Sequence, residues 1–297
     1  MGGLGWRLPP AAPTTNHGAL IMHAAEARSL AEGLLSVALA VGRVQLRHFS
    51  GVVAVETKAD QSPVTAADRE SEEIIHAALA RVAPGVAVVA EEAMAAGHIA
   101  DVAGPFFLVD PLDGTKGFIK GRGEFTINIA LIQDRRPVFG LVYAPALADF
   151  YVTLGPDEAA NARLDPATDV QTLAECGLVT IRTRVPDPNA LTALTSQSHL
   201  NRATQEILDT YGVIERRALA SSLKFGLIAK GEADLYPRAA PTSEWDTAAG
   251  HAVLAAAGGS VTTLDGAPLL YGHADRGFVN PNFIAWGRGP MPKRRTH

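Results

Sequence analysis

The feature that most constrains this chain is a pair of carboxylates at the end of an apolar strand, in the hexapeptide DPLDGT at residues 110–115. Residues 106–109 are apolar and predict the strand. Crowded carboxylates raise each other's pKa unless a cation neutralises them. Mg²⁺ prefers oxygen ligands, including backbone carbonyls such as that of Leu112. The hexapeptide therefore predicts a site for a hard divalent cation.

Two other interpretations of this hexapeptide need to be weighed. One is an ordinary strand-to-helix turn, where Asp-Gly is common and Asp caps helices. The other is the phosphatase class in which the first Asp of an Asp-x-Asp-Gly-Thr strand end is a covalent nucleophile. Asp110 and Asp113 are three positions apart, so this second motif is not met. Asp110 is therefore interpreted as a metal ligand and not as a nucleophile. For the hexapeptide taken alone, an ordinary strand-to-helix turn stays an alternative.

Further acidic residues stand at predicted strand ends or helix starts. Glu91 and Glu92 follow an apolar strand at 86–90, and Asp68 is the fourth residue of a capping box that begins at Thr65. Asp246 precedes an Ala-rich helix at 247–257. Each position alone has an ordinary explanation, as a solvated pair, a capping box or a helix cap.

Hydrophobic periodicity divides the chain into two halves. Apolar residues spaced alternately by four and three predict an amphipathic helix at 21–49, and a hairpin is predicted at 125–144. The polar stretch after residue 155 is the best candidate boundary. Beyond it, short segments predicted as strands and helices are 178–181, 201–211, 222–230, 233–236, 247–257 and 259–263. The predicted organisation is a flexible tail at 1–20, an α+β half at 21–155, an α/β half at 156–288 and a basic tail at 289–297.

Composition excludes several classes of protein. The net charge of −5 provides no positive field for a nucleic-acid polymer or an anionic membrane. The single cysteine, Cys176, rules out an internal disulfide and favours a reducing cytoplasm. The longest apolar run of the first helix, at 34–41, is too short to span a bilayer, so we expect no transmembrane segment and at most peripheral association with the inner membrane. Whether the protein forms a homodimer stays open.

Several sequence blocks occur together with these acidic positions. They are residues 62–68, 91–92, 110–116, 123–131, 196–200, 221–225, 235–238 and 244–250. With these blocks the chain resembles the inositol monophosphatase superfamily over residues 22–287. Within that superfamily it is most similar to the bacterial 3′(2′),5′-bisphosphate nucleotidases of sulfate assimilation. The blocks at 196–199 and 221–225 are typical of the nucleotidase branch.

The resemblance implies roles for residues at matching positions. The implied metal ligands are Glu91, Asp110, the Leu112 carbonyl, Asp113 and Asp246. The implied catalytic residues are Asp68 and Thr115, which orient and deprotonate the attacking water, together with Glu92. The implied substrate-binding residues are Gly114, Thr115, Ser196, His199, Ser222, Lys224 and Arg238. Gly117 and Gln197 depart from the family pattern, where Glu and Arg are frequent, and both departures concern substrate specificity.

The resemblance also implies a fold and a reaction. The expected fold is of the α/β class, with the layered α-β-α-β-α architecture of the sugar phosphatases. Two or three Mg²⁺ ions, for which Mn²⁺ could substitute, would activate a water that hydrolyses adenosine 3′,5′-bisphosphate to AMP and phosphate. Sensitivity to Li⁺ is expected. The main alternative is an inositol-1-monophosphatase or related sugar phosphatase, and the remote one is a non-catalytic nucleotide sensor.

Overall fold

The computed structural model describes residues 22–50, 55–57, 63–98, 101–198 and 200–289. The predicted tail at 1–20 and the predicted substrate contact His199 lie outside these residues, as do residues 290–297 of the basic tail. The helices are α1 (Ala24–Phe49), α2 (Ala66–Val82), α3 (Glu91–Ala95), α4 (Thr115–Ile119), α5 (Arg202–Tyr211), α6 (Leu223–Ala229) and α7 (Ala248–Ala256). Short 3₁₀ turns occupy Pro145–Leu147, Leu173–Cys176, Glu244–Asp246 and Ala274–Arg276.

The strands form three sheets. They are β1 (Val55–Thr57), β2 (Pro63–Thr65), β3 (Ala87–Ala90), β4 (Phe106–Asp113), β5 (Thr126–Gln133), β6 (Arg136–Ala144), β7 (Asp149–Gly155), β8 (Glu158–Arg163), β9 (Val179–Ile181), β10 (Thr192–Ser196), β11 (Glu215–Leu219), β12 (Leu235–Arg238), β13 (Ser260–Thr263) and β14 (Phe283–Trp286). Strands β1 and β2 form an antiparallel pair. A seven-stranded sheet has the order β3-β4-β5-β6-β7-β8-β9, and a five-stranded sheet has the order β11-β10-β12-β14-β13. Both larger sheets are mixed, because β3 is parallel to β4 and β10 is parallel to β11 and β12.

Hydrophobic cores lie between the layers of helices and sheets. Helices α1 and α2 pack on one face of the seven-stranded sheet, where Leu34 and Ile75 share a core with Phe107. The opposite face of that sheet shares a core with α7 and the five-stranded sheet, which includes Leu108 and Val253. The far side of the five-stranded sheet packs against α5. The predicted α/β class and its α-β-α-β-α layering are therefore confirmed.

Helix α1 is the helix that most resembles a membrane span. Among the described residues, it alone is long and apolar enough to cross a bilayer. Its buried residues, such as Leu30, Leu34 and Val41, pack in the core beside α2 and the seven-stranded sheet. The apolar side of α1 is therefore occupied by the protein interior.

The change from one sheet to the other does not fall at residue 155. Strands β8 and β9 continue the seven-stranded sheet as far as Ile181, and the five-stranded sheet begins with β10 at Thr192. The polar residues after Gly155 form a tight hairpin turn between β7 and β8, so their polarity reflects a turn and not a linker. The predicted hairpin at 125–144 is present as β5 and β6. The division into two domains stays a prediction.

Candidate active site

A bulge in β4 brings Asp110 and Asp113 to the same cleft. Asp110 pairs with Asn128 of β5 and Asp113 pairs with Thr126, so β4 has one more residue than β5 between these pairs. Side chains alternate between the two faces of a regular strand, and residues three apart would point in opposite directions. The extra residue of the bulge shifts the alternation by one position, so that the side chains of Asp110 and Asp113 face the same way. Both carboxylates therefore line one cleft of 420 Å³.

Four acidic side chains meet in this cleft. Glu91 at the start of α3 and Asp246 just before α7 line it together with Asp110 and Asp113. Burial raises the pKa of Asp110 well above its usual range, and the charges of Glu91, Asp113 and Asp246 raise it further. Burial and the charges of Asp113 and Glu91 likewise raise the pKa of Asp246. The structure thus brings together all four acidic residues that the sequence predicts as metal ligands.

The donor set of this cluster fits a hard divalent cation. Among the described residues, no three Asp, Glu, His or Cys side chains are close enough together to form a complete metal site as they stand. The cluster instead consists of oxygen donors that repel one another, and a divalent cation would relieve that repulsion. The backbone of Leu112, also predicted as a ligand, lines the same cleft. The ligand roles of these residues stay predictions.

Asp68 connects a helix cap with the cleft. Its Oδ2 accepts hydrogen bonds from the Thr65 N–H at 2.8 Å and from the Thr65 hydroxyl at 2.6 Å, which completes the capping box of α2. Its Oδ1 accepts a hydrogen bond from Thr115 Oγ1 at 3.1 Å. Thr115 lines the cleft, and Asp68 is buried directly behind it. The same carboxylate can therefore cap a helix and orient the hydroxyl of Thr115.

Glu92 has a different environment from Glu91. It lies at the start of α3 and does not line the cleft. Sequence reasoning missed Glu72, whose carboxylate accepts hydrogen bonds from the N–H groups of Glu92 and Ala93, each at 2.8 Å. Glu72 belongs to α2, and no local pattern links it to α3. The catalytic role assigned to Glu92 stays a prediction without support from the cleft geometry.

Most of the described residues that were predicted to contact substrate line the cleft. Gly114, Ser196, Lys224 and Arg238 line the cleft, as does Thr115. Gly114 adopts a φ of 99°, and a Cβ at this position would lie 3.2 Å from the Glu124 carbonyl, so a glycine is required here.

Ser222, also predicted to contact substrate, does not line the cleft, and its role stays a prediction. It is buried away from the cleft wall, and its N–H donates to Asp113 Oδ2 at 2.6 Å. Its hydroxyl lies 2.8 Å from Thr126 Oγ1 and donates to Asn128 Oδ1 at 2.5 Å. The hydrogen bonds of Ser222 are thus used to hold Asp113, and the neighbouring Ser221 lines the cleft instead.

Lys224 and Arg238 are largely enclosed by the protein. Lys224 is 3% exposed, its Nζ donates to the Leu219 carbonyl at 3.3 Å and to the Ser221 carbonyl, and it lies over the ring of Tyr236. Burial lowers the pKa of Lys224 to about 8, although the charge of Asp113 opposes this shift. Arg238 is 7% exposed and donates to two backbone carbonyls, those of Ala240 and Pro241. Both cations lie close enough to the carboxylates to offset part of their charge.

The cleft also contains basic residues that sequence reasoning did not select. Lys116, Lys120 and Arg122 line its mouth, and all three are exposed. The signal in the sequence was their close spacing just after the hexapeptide. The cleft therefore has an acidic floor and a basic mouth.

The model of the inositol monophosphatase family matches residues 26–289. This chain belongs to the inositol monophosphatase family. Among its relatives in that family is the 3′(2′),5′-bisphosphate nucleotidase CysQ of Escherichia coli strain K12, which is 42% identical over 229 residues. That match covers 77% of this chain and 87% of the relative. CysQ of Salmonella typhimurium is 39% identical over 254 residues, which are 85% of this chain and 97% of the relative.

Solved structures of the inositol monophosphatase family have the same fold. The crystal structure of CysQ from Bacteroides thetaiotaomicron has a TM-score of 0.72 and 34% identity, and it covers 89% of this chain and 98% of its own. An inositol monophosphatase from Zymomonas mobilis has a TM-score of 0.67 at 23% identity, covers 86% of this chain and 91% of its own, and supports the fold alone. Members of the inositol monophosphatase family generally depend on a divalent metal. The acidic cluster described above agrees with that dependence.

Proposed function

We propose that this protein is a Mg²⁺-dependent phosphomonoester hydrolase that converts adenosine 3′,5′-bisphosphate to AMP and phosphate. The observation that carries the proposal is the group of four carboxylates at the floor of the cleft, in a chain that is 42% identical to a named 3′(2′),5′-bisphosphate nucleotidase. A cleft of 420 Å³ is within the usual range for small-molecule sites and has room for a nucleotide.

In the proposed reaction, water attacks the phosphorus of the 3′-phosphate, and the bond from phosphorus to the ribose 3′-oxygen breaks. Glu91, Asp110, Asp113, Asp246 and the Leu112 carbonyl would hold two or three Mg²⁺ ions, or Mn²⁺ in their place, and the bound ions would lower the pKa of the attacking water and stabilise the leaving oxygen. The water proton passes to Asp68 through the hydroxyl of Thr115, and the ribose oxygen takes up a proton from solvent.

Hydrogen bonds of the protein support these steps. Thr115 donates its proton to Asp68 Oδ1, which leaves the lone pairs of the hydroxyl to accept from water. Thr65 fixes the other oxygen of Asp68, so the carboxylate cannot turn away from Thr115. The Ser222 N–H likewise holds Asp113 by donating to its Oδ2. Such prior positioning lowers the cost of reaching the transition state.

Further features of the proposal follow from this site and from the relatives. A monovalent Li⁺ ion at an oxygen-lined position would supply less charge to the leaving group, so Li⁺ is expected to inhibit. A nucleotidase of this substrate class would act in sulfur metabolism in the cytoplasm. The second candidate is an inositol-1-monophosphatase or related sugar phosphatase, which belongs to the same family as this chain.

A turnover assay with Mg²⁺ tests the proposal, with adenosine 3′,5′-bisphosphate and inositol 1-phosphate measured side by side. We expect phosphate release from the bisphosphate to have the higher kcat/KM, to require Mg²⁺ and to decrease when Li⁺ is titrated at fixed Mg²⁺. A preference for inositol 1-phosphate would favour the second candidate. No release from either ester at saturating Mg²⁺ would contradict a phosphatase function.

A further inference from the structure

We infer that Gln45 of α1 is a positioning residue for the metal site and acts through the peptide group between Pro111 and Leu112. Gln45 does not line the cleft itself. It holds the backbone that places two of the predicted ligands, the Asp110 carboxylate and the Leu112 carbonyl. This role rests on the proposed function, because that function supplies the metal ion that these oxygens would bind.

Gln45 is an exception on the buried side of α1. Among the buried residues of this helix, all of which the structure describes, it alone has a polar side chain. Its Oε1 is buried and has no hydrogen-bond partner among the described residues. An amide that is buried with an unpaired oxygen costs free energy, and packing alone would favour an apolar side chain here. The reason for a glutamine therefore lies in the contact that its nitrogen makes.

The amide nitrogen of Gln45 contacts the end of β4. Its Nε2 donates to the Pro111 carbonyl at 2.6 Å, 66 positions further along the chain. Its second contact, with Ser71 Oγ, is much longer at 3.5 Å. The amide oxygen could not replace the nitrogen beside Pro111, because two acceptors at 2.6 Å would repel each other. The short distance therefore fixes the orientation of the amide.

The Pro111 carbonyl needs such a donor because it lies in the bulge of β4. Among the described residues, neither β3 nor β5 has a residue paired with Pro111 or Leu112. Side chains bind these backbone groups instead. The Leu112 N–H donates to Asp110 Oδ1 at 3.0 Å, and the Leu112 carbonyl accepts from Thr115 Oγ1 at 3.1 Å. Because proline has no N–H, the bond from Gln45 completes the hydrogen bonding of both residues.

Gln45 thus controls the plane of one peptide group. The peptide between Pro111 and Leu112 is planar, so a bond that holds its carbonyl also fixes the direction of its N–H. That N–H holds the Asp110 carboxylate, and the Leu112 carbonyl follows directly in the chain. Without the donor, the peptide could rotate, and both predicted ligands would lose their fixed positions. Groups that hold metal ligands in this way typically change metal affinity by about 10- to 100-fold.

The test measures metal binding without substrate. Mn²⁺ is titrated into the full chain, and the free ion is followed by electron paramagnetic resonance. For Q45M, which has a side chain of similar length but no donor, we expect Kd for Mn²⁺ to rise about tenfold or more. The increase in melting temperature that Mg²⁺ causes should become smaller in the same variant. Q45N, whose amide is one methylene too short to reach Pro111, should behave in the same way, and it replaces Q45M if that variant does not fold.

Two control variants separate positioning from packing. S71A removes the weaker contact of Gln45 and leaves the bond to Pro111 in place. L30A removes a fully buried side chain from the same helix, about 22 Å along α1 from Gln45. We expect L30A to lower the free energy of unfolding in denaturant titrations, while Kd for Mn²⁺ of both controls stays that of the wild type.

The outcomes separate this role from the proposed function. An unchanged Kd for Mn²⁺ in Q45M or Q45N would overturn the role of Gln45 and leave the proposed function intact. An equal rise in either control would also overturn it, since that would indicate a general loosening of the core. If the wild type binds Mn²⁺ but does not hydrolyse adenosine 3′,5′-bisphosphate, the proposed function fails while the Kd values still decide the role of Gln45. A wild type that binds no Mn²⁺ would overturn both.

Discussion

At the scale of single residues, the site relies on residues that use two polar groups for two different hydrogen-bonding tasks. Asp68 caps α2 with one oxygen and orients Thr115 with the other. Ser222 holds Asp113 through its N–H and contacts Thr126 and Asn128 through its hydroxyl. Such side chains have little freedom to move, so the groups they hold are placed before any substrate arrives.

Replacement of Asp110 by Asn tests the acidic cluster. The amide keeps an oxygen for the Leu112 N–H, which donates to Asp110 Oδ1 at 3.0 Å, but it removes one charge from four crowded carboxylates. We expect kcat/KM to fall by about 100-fold or more, as for the loss of a major electrostatic contact. In EDTA the melting temperature should stay the same or rise slightly, because repulsion is relieved.

Asp157→Asn in the turn between β7 and β8 is the control for Asp110→Asn, since it removes an exposed carboxylate outside the cleft. Thermal melting with and without Mg²⁺ completes the comparison. We expect Mg²⁺ to raise the melting temperature of the wild type and of the control, and to have a smaller effect on Asp110→Asn. Full activity of Asp110→Asn at saturating Mg²⁺ would exclude Asp110 as a ligand.

At the scale of elements, α7 lies against the seven-stranded sheet at backbone distance. A Cβ on Gly140 of β6 would lie 2.2 Å from the Ala249 carbonyl of α7, and a Cβ on Gly250 would lie 2.6 Å from the ring of Phe225. These two glycines allow the helix, the sheet and α6 to approach closely. Because Asp246 immediately precedes α7, this close approach also sets the distance from Asp246 to the end of β4.

Gly140→Ala tests this packing. The added methyl group meets a backbone carbonyl that cannot move away without displacing α7, so we expect the free energy of unfolding to decrease by about 1–3 kcal/mol or more. Gly104→Ala is the matched control, because a Cβ there would meet no atom within 4 Å. Denaturant titrations of both variants measure the difference. Equal stability of the two variants would show that α7 does not approach the sheet this closely.

At the scale of the whole molecule, the cleft lies between elements of both large sheets. The end of β4 and the starts of α3 and α4 contribute Asp113, Glu91 and Thr115, while the segments after β10 and β12 contribute Gln197 and Thr242. The stability of the complete layered arrangement therefore decides whether the site exists. One buried titratable group in that arrangement, His251, leads to a prediction about the stability of the protein at low pH.

His251 of α7 is buried and lies 2.9 Å from the hydroxyl of Tyr271. Burial, aided by the charge of Arg136, lowers the pKa of His251 to about 3 from an ordinary value of about 6.5. Between these values the unfolded chain binds a proton that the folded protein does not. The stability contributed by neutral His251 is therefore complete above pH 6.5 and decreases as the pH falls toward 3, by up to about 1.4 kcal/mol per pH unit.

His251→Gln provides the measurement. Glutamine can still bond to Tyr271 but does not titrate, and other groups contribute equally to both proteins. We expect the free energy of unfolding of the wild type, minus that of the variant, to decrease between pH 7 and pH 4 in denaturant titrations with EDTA. A difference that is independent of pH would show that His251 does not bind a proton on unfolding in this range.

Much of the fold could be predicted because it depends on local patterns. The spacing of Leu30, Leu34 and Val41 predicted α1, and Thr65 with Asp68 predicted the capping box of α2. The apolar residues 106–109 predicted β4, although the strand continues through both carboxylates to Asp113. Four predicted acidic positions also proved to share one cleft, because strand ends and helix starts of such folds meet at the same edge.

The sequence by itself therefore determined longer helices such as α1 and α2, the hairpin at 125–144 and the acidic residues of the cleft, since each depends on neighbours within a few positions. Only the tertiary structure decided that β8 and β9 extend the seven-stranded sheet past residue 155, and that Ser222 holds Asp113 from 109 positions away. It also decided that Gln197 holds Arg122 across 75 positions. The physical reason is that these hydrogen bonds form only after the two sheets pack, and no local periodicity records them.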